Sequence, residues 1–140
     1  MQDNRKIKDI YMCKYIKQDG EMYPLQKWYN QLIDKKISEV NVLDILRMIR
    51  QREFIDIAIL RAVDYLKENP FIGDMYEGEV LEKLSSIEVN SLTGYLDEIK
   101  DILSIALIKN ESYEWLNNEE KKEFAEIIRK FSEKIEENSN

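Results

Sequence analysis

Four carboxylates crowd two glycines in the middle of the chain: Asp74, Glu77, Glu79 and Glu82 beside Gly73 and Gly78. Acids at this density can hold a hard cation or share acid–base work. An EF-hand calcium loop needs alternate oxygen ligands, a central glycine and a final glutamate, and that spacing is absent. Paired carboxylates also hydrolyse glycosidic bonds, but the chemistry depends on their separation in space, which closeness along the chain does not define. The chain has no histidine, so it lacks the commonest general base and metal ligand. Its single cysteine, Cys13, can close no intrachain disulfide. Arg47 and Arg50, three apart, could clasp a phosphate, but the surrounding acidity opposes it. A structural role is preferred, with the Arg50 guanidinium bonding helix carbonyls or a carboxylate such as Asp56. We therefore expect no enzyme, no cofactor and no metal. The four acids either cap and solvate a turn or meet a basic partner.

The charge distribution reads either as plain solubility or as a surface aimed at a basic partner. The chain carries 21 basic and 28 acidic residues, net −7. Residues 1–36 hold 8 and 5, residues 37–69 hold 5 and 6, residues 70–118 hold 3 and 10, and residues 119–140 hold 5 and 7. One third of the chain thus contains the whole excess. Such a surface speeds association with a basic partner and repels phosphates, which argues against direct nucleic-acid binding.

The elements that must position these residues are helical. Four glycines and two prolines leave little punctuation in 140 residues, which favours long helices in one domain over residues 1–140. Residues 1–22 are of uncertain structure: the apolar residues from Ile7 to Ile16 fit neither clean alternation nor a clean helical stripe, a short helix or a single strand are both open, and Asp19-Gly20 reads as a turn. Pro24 suits a helix start, and Leu25, Trp28, Tyr29, Leu32 and Ile33 share one face of 24–33, with Trp28 read as a core anchor. Asn41 is a fair N-cap for a helix whose stripe is Val42, Ile45, Leu46 and Ile49. From Phe54 to Leu66 the pattern is apolar on almost every side, so neighbours must cover this central helix. Asp56, if buried there, needs a partner. Pro70 ends the helix, Phe71–Gly78 is a compact turn, and Glu79 opens the next helix, where the macrodipole favours a carboxylate.

Ser91 or Asn90 is the expected cap of a following helix. Its stripe is Leu92, Leu96, Ile99, Leu103, Ala106 and Leu107, broadened by Ile102 and Ile105, with Asp97, Glu98 and Asp101 opposite. The last helix starts at Asn118, buries Phe124, Ile127, Ile128, Phe131 and Ile135, and pairs Glu126 with Lys130. Residues 136–140 are expected to fray. The fold expectation is an all-α bundle of five to seven helices around the buried central one. The charged start of the chain and the lone thiol point to the cytoplasm, and no stretch is apolar enough to span a membrane.

The order "IRQ…F-I-D" followed by "L…P-F-x-G-D-x-Y-x-G-E-V-L…L" resembles immunity proteins of bacterial contact-dependent growth inhibition (the CdiI type). The matching residues are Ile49, Arg50, Gln51, Phe54, Asp56, Leu66, Pro70, Gly73, Asp74, Tyr76, Gly78, Glu79, Leu81 and Leu84. Similarity is weaker over Trp28–Leu46. The resemblance implies a partner: the C-terminal nuclease domain of a CdiA-type toxin, EndoU-like or ribonuclease A-like, bound by a monomer in a 1:1 complex. Within the motif, Arg50, Gln51, Asp56, Pro70, Gly73, Asp74, Tyr76, Gly78 and Glu79 are expected to serve the shared fold, because toxin-discriminating contacts belong at charged positions that differ between family members. Candidate contacts are Glu88, Asp97, Glu98, Asp101, Glu111 and Glu114, with Tyr95, Tyr113 and Trp115 as aromatic anchors. The alternative is a helical adaptor or regulatory protein with no toxin partner.

Overall fold

The computed structural model describes residues 4–17 and 20–137. These form an all-α fold: α1 (Ile7–Ile10), α2 (Pro24–Ile33), α3 (Val42–Gln51), α4 (Ile55–Glu68), α5 (Glu79–Ser85), α6 (Val89–Leu92), α7 (Leu96–Asn110) and α8 (Asn118–Glu137). No named strand forms among the described residues, only a single bridge between Lys6 and Lys36.

Local chemistry explains most boundaries. Pro24 occupies the first turn of α2, and the Gln26 side chain accepts from the Tyr23 N–H. Asn41 caps α3 by accepting from the Asp44 N–H at 2.9 Å. Asp44 is itself buried and accepts from the Trp28 indole at 3.1 Å and the Lys35 ammonium at 2.5 Å. That network fixes α2 against α3 and keeps a buried charge paired, as burial requires. Between α3 and α4 the chain turns at Arg52 (φ 58°) and Phe54 (φ 47°), left-handed conformations with no glycine to relieve them. The Phe54 ring sits 4.9 Å from Tyr11 and 6.0 Å from Tyr29, and this packing holds the turn.

The central helix is as expected. α4 buries Ile57, Ala58, Ile59, Ala62, Val63 and Leu66 and touches α3, α5, α6 and α7. Arg61 ties it to the preceding turn by donating to the Val40 and Ser38 carbonyls. The last two long helices form an antiparallel hairpin. Asn110 at the end of α7 meets Lys121 near the start of α8, while Lys100 and Leu103 lie beside Ser132 and Glu136. Phe124, Ile128, Phe131 and Ile135 bury one face of α8.

Of the two readings of the N-terminal segment, the short helix holds, at Ile7–Ile10; the chain then passes Asn30, whose side chain bonds both the N–H and the carbonyl of Ile16. This borrowed pairing leaves no periodic signal. Several other expectations are corrected. Gly20 has the positive φ of a turn, while Asp19 lies outside the described residues. Leu25 is exposed, because α2 turns it away from the core. Neither Asn90 nor Ser91 caps a long helix: both sit inside the one-turn α6. A 3-10 turn at Thr93–Tyr95 then separates α6 from α7. Ile105 and Leu107 are exposed, since α8 covers only the side of α7 that carries Ile99, Ile102, Leu103 and Ala106. Asp56 is exposed and accepts from the Tyr11 hydroxyl, with no bond from Arg50 among the described residues. Glu126 pairs most closely with Arg129, which also reaches Glu133, while Lys130 adds only a more distant attraction. Glu136 and Glu137 are helical, and 138–140 lie outside the described residues.

Candidate partner-binding surface

The glycine-flanked acids build a rigid turn between α4 and α5. Glu79 is buried, and one of its carboxylate oxygens accepts from the N–H groups of Asp74 and Met75, both at 2.9 Å. Gly78 adopts φ +86°, and a Cβ there would lie 2.7 Å from the Phe124 ring. A Cβ on Gly73 would lie 2.0 Å from the Tyr76 carbonyl oxygen. The Gly78 N–H donates to Phe71 and the Val80 N–H to Ile72, closing the turn. Pro70 is buried and Asp74 exposed. The Tyr76 hydroxyl donates to Glu82. Gly73, Gly78 and Glu79 therefore shape backbone, whereas the side chains of Met75, Tyr76 and Glu77 face outward.

The loop between α7 and α8 packs against this turn. Tyr113 stacks on Phe71 with centroids 3.8 Å apart, and Trp115 contacts Phe71, Tyr113 and Phe124. The Trp115 indole donates to the buried Asn110 side chain at 2.7 Å. Burial first, and then a hydrogen bond to Glu77, pushes the Tyr113 hydroxyl up to about 12. Two of the three aromatic residues expected as anchors, Tyr113 and Trp115, thus pack the loop against the turn.

Where turn, loop and α8 meet lies a groove of about 570 Å³. Its carboxylates are Glu77, Glu82, Glu114, Glu120 and Glu123, and no lysine or arginine lines it. Its apolar side is formed by Met75, Trp115, Leu116, Phe124 and Ile127. Met75 is 80% and Leu116 91% exposed. Of the nearby cations, Lys121 donates to the Glu111 carbonyl, whereas Lys83 lies 3.9 Å from Glu82 and so offsets one of the groove's own carboxylates. Glu77, Glu114, Glu120 and Glu123 form no ion pair among the described residues. This field should discriminate between ionic quenchers. Trp28 is 7% exposed, so quenching should report Trp115, and at low salt the caesium-to-iodide quenching ratio should exceed that of free tryptophan amide. A ratio equal to or below that reference would contradict a negative potential over the groove.

The other expected contacts lie at the far end of the hairpin. Asp97 and Asp101 are exposed on the first half of α7, and Glu98 pairs with Lys67 at 2.6 Å. Fourteen residues separate Asp97 from Glu111, roughly 20 Å along the axis at about 1.5 Å per residue. Tyr95 packs half-buried against the core, where burial raises its hydroxyl pKa. Glu88 sits near Lys134, whose ammonium donates to the Ser85 and Ile87 carbonyls. The structure therefore brings Glu111, Tyr113, Glu114 and Trp115 together and sets Glu88, Tyr95, Asp97, Glu98 and Asp101 apart from them. Glu120, Glu123, Met75 and Leu116 line the groove but were not among the residues expected at a surface site. Glu120 read only as a helix start, and exposed apolar residues in loops carry no periodicity. Gln51 is exposed and borders a separate hollow beside Trp28 and Tyr29. The described residues contain no group of three or more metal-ligating side chains and no helix long and apolar enough to cross a membrane.

A family model described as CDI immunity proteins matches residues 9–102, which include the whole turn and the first part of α7. No curated protein matches the chain.

Proposed function

This chain belongs to the family of CDI immunity proteins, and on that footing we propose that it neutralises the nuclease domain of a CdiA-type toxin by covering its basic cleft with an acidic surface. The observation that carries this reading is the excess of carboxylates over residues 70–118, a stretch with 10 acids against 3 bases. A nuclease holds its RNA through cationic side chains, and a carboxylate surface offers those side chains the same sign of charge as phosphate. The protein acts as a monomer in a 1:1 cytoplasmic complex and performs no catalysis of its own. A buried area on the order of 1,600 Å² is typical of such pairs, with affinity concentrated in a few central residues.

The Asp97–Asp101 surface then acts mainly at long range. At low ionic strength the Debye length reaches about 30 Å, so charges there steer the toxin without touching it. Asp97→Lys/Asp101→Lys should slow association several-fold at low salt, flatten its salt dependence and change dissociation little. Stopped-flow mixing with the toxin domain encoded beside this chain measures both rates. Unchanged association at low salt would remove this face from the account. The parent reading is tested by co-purification: a complex with that domain supports it, and none would leave the adaptor reading in its place.

A further inference from the structure

We propose that the groove between the Met75–Glu77 turn and α8 is the docking site for a basic segment of the toxin, an arginine or lysine followed closely by an apolar side chain. This rests on the toxin-binding reading above and names the place and the chemistry of the contact.

The groove joins two properties that are rarely exposed together. Met75 and Leu116 stand in solvent at 80% and 91% exposure and line the same groove as the Trp115 and Phe124 rings. Large apolar side chains so exposed mark a surface that gains by being covered. Around them stand five carboxylates: Glu82 already meets Lys83 and the Tyr76 hydroxyl and Glu77 the Tyr113 hydroxyl, while Glu114, Glu120 and Glu123 form no ion pair among the described residues. An anion or nucleic acid is repelled there, and a purely apolar segment would strip water from charges it could not pair. A long cationic side chain satisfies both demands: its methylenes lie along the apolar side while its head reaches Glu120, Glu123 or Glu114. Arginine fits best, because its guanidinium also stacks on an indole and pairs two carboxylate oxygens at once. Met75 can adjust its shape around the neighbouring apolar residue.

The site is also prepared. Trp115 is fixed by Asn110 and by its neighbouring rings, and the turn is clamped by Glu79. Little ordering entropy is then lost on binding, which favours the groove as the energetic centre over the Asp97 surface.

The test compares dissociation rates of the toxin domain encoded beside this chain from wild type, Glu120→Lys/Glu123→Lys and Leu116→Asp. All three altered positions lie outside the buried core, and circular dichroism with thermal melting confirms the fold. The expected result is at least about thirtyfold faster dissociation for the double charge reversal and about tenfold for Leu116→Asp. Suppression of the charge reversal by a compensating acid in the toxin would identify the cation. If wild type binds tightly and both variants dissociate within twofold of it, the groove is wrong while the toxin reading stands. If wild type fails to bind the domain, both fall. If the variants instead change the self-association of the chain alone, the groove is an interface between copies, and the proposal is overturned.

Discussion

Gly78→Val should cost about 3–4 kcal/mol of stability. Two causes add. A side chain forced into the left-handed region costs about 1–2 kcal/mol, and Gly78 has φ +86°. Its new Cβ would also meet the Phe124 ring at 2.7 Å, and overpacking of this kind costs about 1–3 kcal/mol. Phe124 cannot retreat freely, because its ring is 5.0 Å from Phe71 and 5.3 Å from Trp115. Against a total stability of about 5–15 kcal/mol, the melting point should fall by roughly 10 °C. Gly94→Ala supplies the contrast. Its Cβ meets nothing within 4 Å, so its melting point should stay nearly unchanged or rise slightly. Equal losses for the two variants would show that the turn does not depend on the close approach of Gly78 to α8.

Glu79→Ala should destabilise by about 2–3 kcal/mol without any toxin present. The buried carboxylate accepts from two turn amides, Asp74 N–H and Met75 N–H. Hydrogen bonds to a charged group contribute about 1.5–3 kcal/mol, and removing one partner leaves the others desolvated and unpaired. Glu79→Gln keeps an acceptor oxygen at the same reach and should lose less. Urea denaturation of the three proteins orders them. An unchanged midpoint for Glu79→Ala would mean that the motif's glutamate is kept for a partner contact and not for the turn. The expectation matters for function too, because the clamped turn is one wall of the acidic groove.

The sequence was most legible where one residue type has one physical use. Pro24 marked the start of α2, Asn41 capped α3, and Asn118 opened α8. The apolar run from Phe54 announced a helix covered on several sides, and Glu79 announced the start of α5. Legibility failed where tertiary partners decide the outcome. Ile16 takes both its backbone bonds from the Asn30 side chain, a contact across fourteen residues. Ile105 and Leu107 continue a helical stripe, but only α8's position determines that they stay exposed. The 3-10 turn at Thr93–Tyr95 left only Gly94 as a trace.

The candidate surface was half legible for the same reason. Glu77 and Glu82 stood out as a dense acidic cluster, and Glu114 and Trp115 were read as contacts. The groove that unites them joins residues 75–82 with residues 114–127, and no local pattern reports that these segments meet. Asn110, which pins Trp115 from the buried end of α7, shows in sequence only as a polar residue closing an apolar stripe.

Neutralisation by direct binding is read out in the growth of cells that express the toxin domain encoded beside this chain, with wild type or Glu120→Lys/Glu123→Lys supplied in trans. Full growth is expected with wild type, and arrest with the charge-reversed variant at equal protein levels. Arrest in the presence of abundant, folded wild-type protein would contradict neutralisation.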